Sequence, residues 1–288
     1  MKQILLKSGS TPAAPRVTDD SFYPNIDTNY TEFQYTGQRL AVRTNQSVGI
    51  KNCVSSRATN KQGMAIYGNL MVTLAADNGT HLIYSVGTGG ALTQLATFSM
   101  NLGHANAAQF APTIASGKTY PYLYVSDTDG HCYVLEIASD YAVTKIQTIT
   151  IAQGQCLIGD DGYIWASING GSANPRIFKK YRKVAVSEGD ITLTSEDVLD
   201  SFNSDKIYSS TDVTAQGWAV KFGKIWFCYG ASGEGKKRGV DVYDTATHRR
   251  EAELDFSTYS TLEYEDIDFW DNAMLIATYP GTMYMVRF

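Results

Sequence analysis

Cysteine, charge and long apolar runs are all scarce in this sequence, and each scarcity removes a class of protein. The four cysteines, Cys53, Cys132, Cys156 and Cys228, lie far apart with no C-x-x-C pair. That excludes a zinc ribbon and a thioredoxin-type motif, and leaves them to be read as reduced thiols buried in strands. His81, His104, His131 and His248 are scattered without H-x-x-x-H spacing, so no metal site is expected from them. No G-x-S-x-G context surrounds Ser85, Ser126 or Ser167, which leaves a serine hydrolase without support. No cofactor motif is present.

Charged residues make up only 18%, with a formal net charge of -5. An acidic balance repels a phosphate backbone, so nucleic acid is not an expected partner. Nothing approaches the length of an apolar membrane span, and the run in Met1-Lys2-Gln3-Ile4-Leu5-Leu6-Lys7 is too short for a secretory signal. Cytoplasmic synthesis without a signal peptide or membrane insertion is the expectation, which leaves incorporation into a virion open.

What is plentiful is strand and turn chemistry: 19 Tyr, 11 Phe and 25 Gly among 288 residues. It is organised as a repeat. Gln216-Gly217 opens Trp218-Ala219-Val220-Lys221, turns at Phe222-Gly223, and continues through Lys224-Ile225-Trp226-Phe227-Cys228-Tyr229. Related units open at Gln62-Gly63, at His104-Ala105-Asn106, at Gln153-Gly154 and at Glu265-Asp266, in steps of 42, 49, 63 and 49 residues. Units of about forty residues with four strands each are the signature of propeller blades. The pattern predicts an all-β, five-bladed β-propeller of four-stranded antiparallel blades. Six blades is the alternative, if residues 32–60 form most of a blade.

Residues 1–31 are polar, contain Pro12, Pro15 and Pro24, and read as an extended arm, with the propeller domain over 32–288. Phe33-Gln34-Tyr35 and Leu40-Ala41-Val42 flank Thr36-Gly37-Gln38-Arg39 as a hairpin. The last unit has only three strands, which would leave an exposed edge. A strand from between Phe33 and Val48 is expected to pair with the 282–288 strand and close the ring. Within the third unit, Thr192–Phe202 carries an N-cap signal and acidic first-turn residues, predicting a short helix or helical turn between blades.

The openers, the stretch Val198-Leu199-Asp200-Ser201-Phe202 and the closing Glu263-Tyr264-Glu265-Asp266-Ile267-Asp268 resemble five-bladed propellers of bacterial and phage origin. That group includes the propeller platforms of phage receptor-binding proteins, which bind cell-wall glycans. The resemblance spans about residues 60–288, and it implies a non-enzymatic role in recognising a cell-surface glycan or another protein subunit as part of a phage or prophage tail.

If each opener begins an innermost strand, Gln62, His104, Asn106, Gln153, Gln216 and Glu265 ring one mouth of the central axis. Amides and carboxylates supply the paired donors and acceptors that sugar hydroxyls need. The same groups could instead satisfy backbone atoms of neighbouring blades. Glu265, Asp266 and Asp268 are the catalytic candidates if the protein is a glycosidase or polysaccharide lyase, since paired carboxylates serve glycoside hydrolysis. No second carboxylate in another blade is evident. Asp127 and Asp129 read as turn residues, and the basic runs Lys179–Lys183 and Lys236–Arg238 as solvated faces that could also meet an anionic polymer. Trp165, Trp218, Trp226 and Trp270 either fill the space between blades or stack on sugar.

Overall fold

The computed structural model describes Gln34–Tyr35, Leu40–Ala41, Ile50–Val54 and, between residues 62 and 287, all but 78, 88–90, 171–173, 211–212, 258–259, 271–272, 280 and 282. The expected arm over residues 1–31 lies outside the described residues.

Strands β1 (Gln34–Tyr35) and β2 (Leu40–Ala41) pair antiparallel, with Gln34 opposite Ala41, as the predicted hairpin requires. After β3 (Ile50–Val54) the blades follow in chain order. The first is β4 (Met64–Tyr67), β5 (Leu70–Thr73), β6 (Thr80–Val86) and β7 (Leu92–Ser99); the second is β8 (Ala107–Phe110), β9 (Leu123–Ser126), β10 (His131–Ile137) and β11 (Val143–Thr150). The third is β12 (Gln155–Ile158), β13 (Ile164–Ile168) and β14 (Ile177–Tyr181), completed beyond a short β15 (Ile191–Thr192) by β16 (Val198–Asn203). Strand β15 pairs in parallel with β11 of the second blade. The fourth holds β17 (Ser209–Ser210), β18 (Val213–Lys221), β19 (Lys224–Tyr229), β20 (Gly239–Asp244) and β21 (Arg250–Asp255), and the fifth β22 (Glu263–Trp270), β23 (Ala273–Tyr279) and β24 (Met283–Arg287). Five blades, each built on four antiparallel strands, form a β-propeller.

The fifth blade takes its outer strand from the N-terminal side, as the incomplete last unit demands, but from a different stretch than expected. Strand β3 pairs antiparallel with β24, Ile50 opposite Val286 and Val54 opposite Met283. The expected window, 33–48, falls short because β1 and β2 pair with each other. Among the described residues of 32–60 there are the β1–β2 pair and the single strand β3, and the propeller has five blades rather than six.

The expected helical segment is the shorter of the two forms, a helical turn. A single 3-10 turn spans Ser195–Asp197, with Thr194 as N-cap: its hydroxyl oxygen accepts from Glu196 N, and the Asp197 carboxylate accepts from Thr194 N at 2.8 Å. From Val198 the alternating pattern continues as the outer strand of the third blade, with Phe202 opposite Phe178. The capping signal gives the helical turn alone, and the chain then joins the sheet because Val198 and Phe202 pair with Tyr181 and Phe178.

Inner and middle strands are covered on both faces by neighbouring blades, so they read as continuous apolar runs rather than alternating ones. Met64–Ile66, Leu123–Val125 and Lys224–Tyr229 are buried throughout. The core is thus a set of wedges between blades. Phe178 of the third blade meets Trp218, Phe227 and Tyr243 of the fourth with ring centroids 5.3–6.4 Å apart. Truncating such a ring costs about 3–5 kcal/mol. Trp165, Trp218, Trp226 and Trp270 are all buried here, so none is placed to stack on a sugar. Cys132, Cys156 and Cys228 are buried free thiols, as expected.

Candidate ligand-binding mouth

The innermost strands β4, β8, β12, β18 and β22 run in one direction, so their N-terminal ends gather at one mouth. They contact in ring order: β4 with β8, β8 with β12, β12 with β18, β18 with β22, and β22 with β4. Strand β8 also touches β18 and β22 across the axis, so the centre is narrow.

Side chains of the inner strands fill that centre and bind backbone groups of other blades. Asp266 Oδ2 accepts from Met64 N of the first blade at 2.8 Å and from Ala108 N of the second at 3.1 Å. Asp268 accepts from Ile66 N at 2.8 Å and is ion-paired with Lys221 of the fourth blade. Gln109 bonds both backbone groups of Val220 across the axis. Two of the three catalytic candidates, Asp266 and Asp268, are therefore fully buried and occupied in holding blades together. Burial pushes the Asp266 carboxyl well above the usual range, against its backbone hydrogen bonds.

Glu265 differs. A bulge in β22 between Tyr264 and Asp266 takes it out of the ladder, and burial, reinforced by the charge of Glu263, pushes its carboxyl up to about 8. Bulges commonly re-aim side chains beside functional sites. A matching bulge in β18 between Ala215 and Trp218 displaces Gln216-Gly217. The Gln216 amide donates to Glu263 Oε1 at 2.7 Å, linking the fourth and fifth blades at the rim.

The remaining openers divide by exposure. Asn106 is buried immediately before β8 and Gln62 is half-buried before β4, whereas His104 and Gln153 are exposed on the loops that enter β8 and β12. The structure thus gathers Gln62, Asn106, Gln216 and Glu265 near the axis and leaves His104 and Gln153 on the outer rim. Sequence reasoning passed over Gln155, the first residue of β12, which is buried and supplies that blade's amide. The repeated amide across Gly154 was the available signal.

A second polar group lies at the same mouth, on the turn between β9 and β10. Asp127 Oδ1 accepts from Asp129 N and His131 N, both at 2.8 Å, so Asp127 is indeed a turn residue. Its Oδ2 also contacts His131 Nδ1 at 2.8 Å and accepts from the Tyr133 hydroxyl at 3.2 Å. The basic runs are largely engaged. Arg182 pairs with Glu188 and Asp197, Lys180 with Asp161, and the buried Arg238 guanidinium donates to the carbonyls of Lys236, Thr261 and Leu262. Among the described residues no group of three or more His, Cys, Asp or Glu is placed to hold a metal ion, and no helix is long and apolar enough to cross a membrane.

No family model and no curated protein matches this chain. Solved structures do. The tail fiber of Staphylococcus aureus phage P68 is 13% identical with a TM-score of 0.50, over 83% of this chain and 52% of that one. The likeness is one of fold. A hypothetical protein from Leishmania major (11% identical, TM-score 0.47, 81% of this chain and 87% of that one) and the hydrazine synthase of Kuenenia stuttgartiensis (10%, 0.42, 75% and 60%) are more distant in shape. The chain spans about half the length of the tail-fiber chain and three-fifths of the synthase chain.

Proposed function

We propose that this protein is a non-enzymatic recognition propeller that binds a cell-surface glycan or a partner protein at the opener mouth, as a component of a phage or prophage tail. The observation that carries the reading is the division of labour along the axis. Asp266, Asp268, Gln109 and Lys221 are spent on contacts between blades, so the polar groups left to meet a ligand are at the rim, with His104 and Gln153 exposed there. Ligand sites favour concave surfaces with a few convergent polar groups, and loop-borne residues on a rigid scaffold carry recognition. The tail-fiber neighbour is compatible with the tail assignment at the level of fold only. Pull-down of the full chain on intact Gram-positive cell walls, and on walls stripped of their anionic polymers, tests the glycan arm. Absence of binding to both, together with a monomeric, partner-free chain in solution, would remove the proposal.

A second reading has one specific observation in its favour. A buried carboxyl raised to about 8 beside a second carboxylate is the electrostatic arrangement of a general acid. In a glycosidase or lyase Glu265 would donate the proton, with Glu263 as the carboxylate whose charge acts on it. Polysaccharide turnover that disappears in Glu265→Gln would establish this reading in place of the first.

A further inference from the structure

Several buried polar atoms at the starts of the inner strands have no partner among the described residues, one of them a donor, Trp218 Nε1, and the others acceptors. Among the described residues no donor reaches Gln62 Oε1, Asn106 Oδ1 or Gln155 Oε1, all three of them buried atoms. Asn106 and Gln155 are only 5% and 4% exposed, as is Glu265 at 4%. Each of the four belongs to a different blade and sits at or near the N-terminal end of its inner strand. A buried acceptor left without a donor costs about 1–3 kcal/mol, so three in one region call for a common partner.

Backbone contacts bring Gln62, Asn106 and Glu265 together at this end of the axis, with Gln155 on an adjoining strand. Gly63 N donates to Ala105 O at 2.7 Å, which sets Gln62 against Asn106. A Cβ built on Gly217 would lie 2.5 Å from Asn106 O and 2.6 Å from Glu265 O, which sets Asn106 beside Glu265 and adds two carbonyls to the same place. Strand β12, with Gln155 at its start, lies against both β8 and β18.

We propose that the side-chain oxygens of Gln62, Asn106, Gln155 and Glu265 form a calcium site at the mouth of the propeller axis. Calcium takes about 6–8 oxygen ligands in a flexible shell and accepts amide, carboxylate and backbone carbonyl oxygens alike, together with water. Magnesium holds its own waters in a stricter octahedron, and the absence of His and Cys from this set disfavours zinc and the softer metals. The set is rich in amides and has one carboxylate, so it differs in kind from a cluster of three acidic residues, and its affinity belongs in the millimolar class of weakly charged sites. Glu263, tied to Gln216, adds negative charge at the rim, and Asp266 presents a further partnerless buried oxygen, Oδ1, one residue deeper. Lys221, a cation on an inner strand, is committed to Asp268.

The test is thermal unfolding of the full chain, freed of metal with chelator, at mildly alkaline pH with millimolar calcium, magnesium or choline chloride. Calcium alone is expected to raise Tm by about 5 °C near saturation. Glu265→Gln should abolish the rise. Asn106→Asp, which adds a second carboxylate without changing shape, should lower the calcium concentration needed by about tenfold or more, and it keeps the proposal testable if Glu265→Gln fails to fold. No calcium-specific shift, an equal shift with magnesium, or a calcium response in Asn106→Asp no stronger than in the natural chain would each overturn the assignment. The last result would mean that the amides turn their NH2 groups inward, toward Glu265.

Discussion

The side-chain amide of Gln109 pairs with both backbone groups of Val220 across the propeller axis: its Nε2 donates to Val220 O at 3.0 Å and its Oε1 accepts from Val220 N at 2.9 Å. The two residues come from the second and fourth blades, so the amide acts as a strand-like rung where no strand can fit. Gln109→Leu keeps the volume and leaves the buried Val220 N unpaired, whereas Val220 O still accepts from Asp160 N at 3.1 Å. An orphaned buried group costs about 1–3 kcal/mol, and the expected loss is about that much in a denaturant titration with an unchanged m-value.

Asp266 and Gly217 form a second cross-blade relationship. A Cβ on Gly217 would meet Asp266 Oδ1 and lie within 2.6 Å of two backbone carbonyls that have no rotamer with which to move away. Gly217→Ala should therefore prevent folding or leave the chain in aggregates, measured as soluble yield and loss of the cooperative melt. Asp266→Asn should be far milder than Asp266→Ala. The amide oxygen can keep the bonds from Met64 N and Ala108 N, and its NH2 can donate toward the carbonyls of Asn106 and Glu265.

These contacts mark the limit of what the sequence discloses. The repeat of opener, short apolar strand, turn and second strand is local, so the five blades could be read directly, and the missing last strand followed from counting. Which stretch supplied it could not. Leu40-Ala41 and Ile50–Val54 have similar strand propensity, and the choice is made by pairing between distant parts of the chain. The same holds at the mouth. That Asp266 and Asp268 bind other blades while Glu265 is displaced by a bulge is a matter of register, and Gln155 differs from Gln153 only by where β12 begins.

Lys221 and Asp268 give a prediction of different kind, because their ion pair is nearly enclosed, with side chains 16% and 0% exposed. Removing the cation leaves Asp268 with its hydrogen bonds from Ile66 N and Phe269 N but without its counter-charge. Breaking one side of a buried pair typically costs about 3–5 kcal/mol. Lys221→Met should lose about that much, and Lys221→Met combined with Asp268→Asn should recover part of it, as a double-mutant cycle in thermal or denaturant unfolding would report.

Glu265 ties stability to pH with a definite sign. Its carboxyl is raised to about 8 in the folded protein from an ordinary value of 4.5. A group raised on folding contributes stability that is fully present below its unfolded pKa and is lost as pH climbs through the folded one. In metal-free buffer the protein should therefore lose a few kcal/mol between about pH 4.5 and 8 from this residue alone. Glu265→Gln has no proton to lose, and its stability should vary less over the same range. Equal pH slopes for the two proteins would show that Glu265 is ionised with little penalty.

The exposed rim separates recognition from folding. His104 and Gln153 are the two openers that reach solvent, and no described backbone contact of the blades depends on either side chain. Surface substitutions of this sort usually change stability by no more than about 0.5 kcal/mol. His104→Ala with Gln153→Ala should accordingly melt with the natural chain, yet bind cell walls or a partner protein about tenfold or more weakly if the rim is the contact surface, since one lost polar contact to a ligand is worth about 1.4 kcal/mol per factor of ten. Unchanged binding at unchanged stability would move the recognition surface away from this mouth. The opposite face would then be the next place to substitute, beginning with Lys183 beside Tyr163, where the ammonium lies 4.7 Å from the ring centre.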